Sequence, residues 1–192
     1  MIPLRLKEIA AALGTSCRED AEILSICTDS RKITKGCLFI ALVGERFDGH
    51  SFVASAFEQG AVAAVCSKPV EVNGEVLLAE DTGKAFMRLA AYYRSLFSIP
   101  VAGITGSVGK TTTKEMVYAV LSEKYNTLKN EGNLNNEIGL PTTVFRMNAD
   151  YEAAILEMGM SAFGEISRLA KVAQPNVGII TKIGVSHIEH LG

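Results

Sequence analysis

The chain has 192 residues, 48% of them hydrophobic, and 19 Lys and Arg stand against 21 Asp and Glu for a net charge of −2. That is enough apolar material to bury a core in one large domain or two small ones, and the near-neutral balance excludes a global basic field for nucleic acid or a membrane surface, so any phosphate binding has to come from local cradles. No apolar run approaches the roughly 20 residues that span a bilayer, and the opening Met1-Ile2-Pro3-Leu4-Arg5-Leu6 lacks the basic-then-apolar order of a secretory leader, so no membrane insertion and a cytoplasmic location are expected.

Leu6, Ile9, Ala10 and Leu13 fall at helical spacing before Gly14 and predict a short first helix. Residues 22–28 and 37–42 read as strands on either side of Asp29-Ser30-Arg31 and a turn at Lys35-Gly36. Ser51 is the expected cap of a helix through Gln59, closed by Gly60. Strands follow at 61–66 and 75–79, and Asp81 or Thr82 opens a helix that runs to about Phe97. Cys17, Cys27, Cys37 and Cys66 show no C-x-x-C pairing, and the last three lie in apolar runs, so buried free thiols are expected rather than a metal site or disulfides.

Ser98-Ile99-Pro100 is the natural boundary, because proline stops any continuation of the helix. Residues 1–98 thus form a small α/β domain, and 99–192 a second one. In the second, strands at 101–105, 126–129, 152–157 and 177–181 alternate with helices at 110–122, 138–145 and 165–172. That alternation implies a parallel sheet with helices on both faces.

The apolar run that starts at Val101 breaks into Thr105-Gly106-Ser107-Val108-Gly109-Lys110-Thr111-Thr112. A strand, a glycine turn and a helix start in that order make a phosphate cradle. Backbone N–H groups of the turn converge on an anion, and the positive end of the helix lies behind them. Lys110 adds a point charge for the terminal phosphates, and the Thr111 hydroxyl stands where Mg²⁺ would bridge phosphate oxygens. The general P-loop pattern asks for glycine where Ile104 stands, and Gly103 is one residue early. A tight strand-to-helix turn with a surface lysine is the plain alternative.

In a parallel sheet, ligands collect at the carboxyl ends of the strands. Glu157 closes the apolar strand Ala154-Ile155-Leu156 and is expected to share Mg²⁺ with Thr111; otherwise it is a solvated acid at a sheet edge. His187 follows the last strand, but His187-Ile188-Glu189-His190 does not have the spacing of a zinc helix, and a surface histidine is the plain reading. The amide-rich loop Gly132-Asn133-Leu134-Asn135-Asn136-Glu137 suits sugar or amide recognition, or is simply a turn.

Together these stretches resemble the Mur ligases of peptidoglycan synthesis, whose phosphate loop reads Thr-Gly-[Thr/Ser]-x-Gly-Lys-[Thr/Ser]. Within that family they are most similar to the branch that adds D-alanyl-D-alanine to UDP-N-acetylmuramoyl-tripeptide. The resemblance rests on the phosphate loop, on Gly132-Asn133-Leu134-Asn135-Asn136-Glu137-Ile138-Gly139, on Glu157-Met158-Gly159, and on Asp29-Ser30-Arg31 and Asp48-Gly49-His50. It implies an ATP- and Mg²⁺-dependent ligase. The substrate carboxylate takes the γ-phosphate to give an acyl phosphate, and the amine of D-alanyl-D-alanine then displaces phosphate.

By the same resemblance Lys110, Glu157 and His187 are catalytic, Thr111, Glu157 and His187 hold metal, and residues 105–112 bind the nucleotide. Ser30, Arg31, Asp48, Gly49, His50, Asn133, Asn135 and Asn136 would contact the UDP-sugar substrate. Family members continue into a longer central domain and a third domain. The chain therefore reads as an N-terminal fragment, incomplete in its ATP-binding domain and expected to be inactive alone. Folylpolyglutamate synthases share the phosphate loop but not the motifs of residues 1–98, and a non-catalytic nucleotide-binding module would need no Glu157.

Overall fold

A computed structural model describes residues 1–45 and 47–184. The chain forms two compact units, Met1–Leu89 and Ala90–Gly192.

In the first unit β1 (Leu4–Arg5) leads directly into α1 (Leu6–Leu13), which buries Leu6, Ile9 and Ala10 as their spacing predicts. The Glu8 carboxylate accepts from the Arg5 N–H at 2.8 Å at the helix start, and Gly14, at φ 71°, ends it. β2 (Glu22–Ile23) pairs antiparallel with β1, so the expected strand at 22–28 is broken in two, its second half being β3 (Ser25–Cys27). After β4 (Cys37–Ile40), β5 (Val43–Gly44) and β6 (Phe47–Asp48) form a short antiparallel hairpin. The polar turn hides these short strands from a periodicity argument.

The helix expected from Ser51 begins differently. Its first turn is a 3₁₀ turn, Gly49–Phe52, opened by Asp48, and α2 proper is Val53–Glu58. The Asp48 carboxylate reaches the His50 N–H at 3.0 Å, whereas the Ser51 hydroxyl donates back to the Asp48 carbonyl at 2.7 Å. The earlier Asx residue captures the helix start.

β7 (Ala61–Cys66) and β8 (Glu75–Leu78) complete a parallel sheet in the order β3-β4-β7-β8. Phe39, Ala41, Val53, Ala56, Ala61, Ala64 and Cys66 form its core against α2. The alanines let the helix approach, and a fully buried Phe39 contributes about 1.5–3 kcal/mol. All four cysteines are free. Cys37 and Cys66 are buried, and burial pushes the Cys66 thiol up to about 11. Cys17 and Cys27 are only half-buried; Cys27 lies on β3, which is an edge strand.

α3 (Thr82–Ser95) runs from the first unit into the second, so the structural seam lies inside a helix, ahead of Ser98-Ile99-Pro100. The reason is its last turns. The Tyr93 hydroxyl donates to the Met147 carbonyl at 2.6 Å. The Arg94 guanidinium, 4% exposed, donates to the carbonyls of Phe97 (2.6 Å), Ala173 (3.0 Å) and Ile99 (3.2 Å).

The second unit is a parallel sheet built from β9 (Val101–Thr105), β10 (Thr127–Lys129), β11 (Ala153–Glu157) and β12 (Val177–Ile180), in the order β10-β11-β9-β12. α4 (Lys110–Leu121), α5 (Gly139–Val144) and α6 (Glu165–Ala173) connect them. Glu157 lies in register with Ile104, and Ile180 with Thr105. The carboxyl ends of β11, β9 and β12 therefore meet at one edge, where the loop before α4 begins. Among the described residues no helix is long and apolar enough to cross a membrane.

Candidate active site

The loop between β9 and α4 curls through Gly106 at φ 137° and Gly109 at φ 84°. Only glycine takes these angles without strain, and a Cβ on Gly106 would also meet the Thr181 hydroxyl at 2.3 Å. The segment after β12 straps the loop. The Thr181 hydroxyl donates to the carbonyls of Val108 (2.6 Å) and Thr105 (3.2 Å), and the Ser107 N–H donates to the Lys182 carbonyl at 2.7 Å. The Ser107 hydroxyl donates to the Gly184 carbonyl at 2.9 Å. Val108 and Thr112 are exposed on the loop and helix start. Lys110 donates from Nζ to the Gly106 carbonyl at 2.7 Å, which keeps its charge beside the loop's N–H groups.

Thr111, one residue on, donates from Oγ1 to Glu157 at 3.1 Å (Oε2) and 3.3 Å (Oε1). Glu157 is 1% exposed, so the plain reading of a solvated edge acid is wrong. Its charge is met by Asn135, whose amide donates to Oε1 at 2.9 Å, and by the Lys114 ammonium 3.4 Å from Oε2. Its backbone is clamped by Asn130, which accepts from the Glu157 N–H at 2.9 Å and donates to the Glu157 carbonyl at 2.9 Å and the Leu134 carbonyl at 2.8 Å.

The structure thus brings Lys110, Thr111, Glu157 and Asn135 together and adds Lys114 and Asn130, which sequence reasoning missed. Both had a signal. Asn130 directly follows β10, at the ligand edge of the sheet, and Lys114 is one helical turn beyond Lys110, on the same face.

The amide loop divides its labour. Asn136, exposed, caps α5, its side-chain oxygen accepting from Gly139 N–H at 2.8 Å and Ile138 N–H at 3.2 Å. Asn133 is exposed. His187 lies outside the described residues.

In the first unit, Asp29 caps the 3₁₀ turn Ser30–Lys32. Arg31 closes on it with two bonds of 2.8 Å, Nε to Oδ1 and Nη2 to Oδ2. Gly49 is packed against backbone, where a Cβ would lie 2.5 Å from the Leu42 carbonyl oxygen. His50 is buried; its Nε2 accepts from the Ser67 N–H at 2.9 Å, which leaves Nδ1 to donate to Asp48 at 2.5 Å. Lys68 holds the other Asp48 oxygen at 2.6 Å. His50 therefore fixes the turn; Arg31 is exposed, Ser30 and Asp48 are half-exposed, and Gly49 and His50 are buried.

Chemically, the second unit offers N–H groups and a lysine to phosphate oxygens. Thr111 and Glu157 offer hard oxygens about 3 Å apart, the spacing of neighbouring ligands on an octahedral ion at roughly 2.1 Å. With one carboxylate in the pair, most of a Mg²⁺ shell would come from phosphate and water, as that ion prefers.

Residues 22–119 match the Mur ligase family catalytic domain, and residues 104–192 the Mur ligase middle domain. A UDP-N-acetylmuramoyl-tripeptide–D-alanyl-D-alanine ligase of Synechocystis sp. is 49% identical over 93% of this chain, which spans 40% of that relative. A MurF crystal structure from Acinetobacter baumannii, 36% identical, superposes with a TM-score of 0.93 over 98% of this chain and 43% of its own. A MurF ligase from Thermotoga maritima in complex with ADP, 35% identical, gives 0.80 over 85% of this chain and 38% of its own. The chain thus spans about two fifths of the length of the relatives it matches.

Proposed function

Because the chain belongs to the Mur ligase family, we propose that its second unit binds ATP and that the complete protein joins D-alanyl-D-alanine to UDP-N-acetylmuramoyl-tripeptide in the cytoplasm. The observation that carries this reading is the Thr111–Glu157 contact beside the Lys110 loop. The ADP complex of the Thermotoga maritima relative supports the nucleotide assignment. Residues 1–98 would hold the UDP-sugar end through Ser30, Arg31 and the turn fixed by Asp48, Gly49 and His50, and residues 99–192 the nucleotide. Asn133 and Asn135 would face the substrate, and His187 would serve as a further metal ligand.

The division of work follows from the residues. Phosphoryl transfer to a substrate carboxylate needs alignment and charge neutralisation more than a protein nucleophile. The N–H groups of residues 108–111 would hold the phosphates, Lys110 would neutralise the charge that develops on them, and Asn130 with Asn135 keeps Glu157 in place. Thr111 and Glu157 would hold Mg²⁺, which supplies Lewis-acid neutralisation of the phosphate oxygens.

The test is phosphate release by the complete protein. Release should require ATP, UDP-N-acetylmuramoyl-tripeptide and D-alanyl-D-alanine together. Turnover with a folate and glutamate instead, or none with any of these, would overturn the assignment.

A further inference from the structure

We propose that Lys114 is a positioning residue that cancels the charge of Glu157 and thereby makes divalent-cation binding at the Thr111–Glu157 pair conditional on nucleotide phosphate. This rests on the nucleotide reading above.

Lys114 is 1% exposed in the middle of α4, and Glu157 is equally buried at the end of β11, with Nζ 3.4 Å from Oε2. Burying either ion alone would be prohibitive, so each exists for the other. The second carboxylate within reach, Glu115, is 3.5 Å from Lys114, but it is half exposed and already paired with Lys129, which lies 3.9 Å over the Tyr118 ring. Among the described residues the buried charges around Thr111, those of Lys114 and Glu157, therefore sum to zero.

A divalent cation placed on Glu157 would sit against an ammonium ion, and the repulsion is strong where water is excluded. Cation affinity at oxygen sites follows the number of anionic ligands. Glu157 alone, neutralised by Lys114, offers no net attraction. Phosphate oxygens arriving at the loop beside Lys110 supply the missing negative charge. The consequence is order: the site takes the cation with the nucleotide and ignores free cation.

Electron paramagnetic resonance of Mn²⁺ with the complete protein tests this without turnover. Unmutated protein should bind Mn²⁺ more weakly than about 1 mM without nucleotide, and at least roughly tenfold more tightly with ADP. Lys114→Gln should tighten nucleotide-free Mn²⁺ binding roughly tenfold, and Lys114→Arg should behave as the parent. Mn²⁺ binding by the unmutated protein that is equally tight with and without ADP overturns the proposal even if Lys114→Gln fails to fold. So does folded Lys114→Gln with unchanged Mn²⁺ affinity. Failure of the unmutated protein to bind ADP at all would remove the nucleotide reading and this inference together, whereas normal ADP binding with nucleotide-independent Mn²⁺ removes this inference alone.

Discussion

Thr111 at the start of α4 donates its hydroxyl to both carboxylate oxygens of Glu157 at the end of β11, at 3.1 and 3.3 Å, although the two residues are 46 positions apart in the chain. The contact joins the phosphate loop to the neighbouring strand and leaves the carboxylate no access to bulk water. Glu157→Gln keeps the shape but leaves the Lys114 ammonium buried without its anion. It should cost roughly 3 kcal/mol and raise the Mg²⁺ concentration needed for turnover. Adding Lys114→Met to Glu157→Gln should recover most of the stability but not the metal response. A metal titration that overlays that of the parent would remove Glu157 from the ligand set.

Asn130 is fully buried and spends its whole amide on three backbone groups around Glu157. Asn130→Ala strands those groups without partners, at about 1–3 kcal/mol each before relaxation. Urea unfolding should show a lower midpoint with an unchanged slope, and turnover should fall with it as the Glu157 carboxylate loses its aim. Unchanged stability would mean that the clamp is not holding the strand end.

The main elements were legible because they follow local rules. The alanine-rich β7, the apolar β9 and the Gly14 stop all matched periodicity and capping. What escaped depends on partners distant in sequence. Tyr93 and Arg94 lie inside a helix predicted from its start and its end, and nothing nearby in sequence tells that they reach carbonyls at Met147 and Ala173. Lys114 reads as a solvated lysine until β11 is placed beside α4. For His50 the resemblance suggested a ligand contact, yet both its ring nitrogens are occupied in holding the turn, and the Asn136 side-chain oxygen is spent on the start of α5.

The carboxyls of Asp29 and Asp48 make the first unit acid-sensitive. Lys68, then the His50 N–H and imidazole, hold Asp48 well below the usual carboxylate range. The Arg31 side chain and N–H do the same for Asp29. A native value below the unfolded one, about 3.9, gives stabilisation that is complete above that pH and is lost as pH falls through the native value. Stability should therefore be level from neutral pH to about 4 and decline below it, by a small step because both groups meet solvent. In Asp48→Asn the decline should be shallower, as read by urea midpoints at each pH; a steeper one would contradict the assignment.

The most direct test of the phosphate-loop assignment is the rate of D-alanyl-D-alanine-dependent phosphate release by the complete protein carrying Lys110→Ala. Among the described residues the Lys110 ammonium bonds only to carbonyls of its own loop, at 2.7 Å to Gly106 and 3.5 Å to Ser107, so its removal should leave the thermal midpoint nearly unchanged. Turnover should fall on the order of 10²–10³-fold, the usual cost of deleting one preorganised donor to a transition-state charge. A folded Lys110→Ala protein that releases phosphate at the parent rate would contradict the assignment of this loop to the nucleotide.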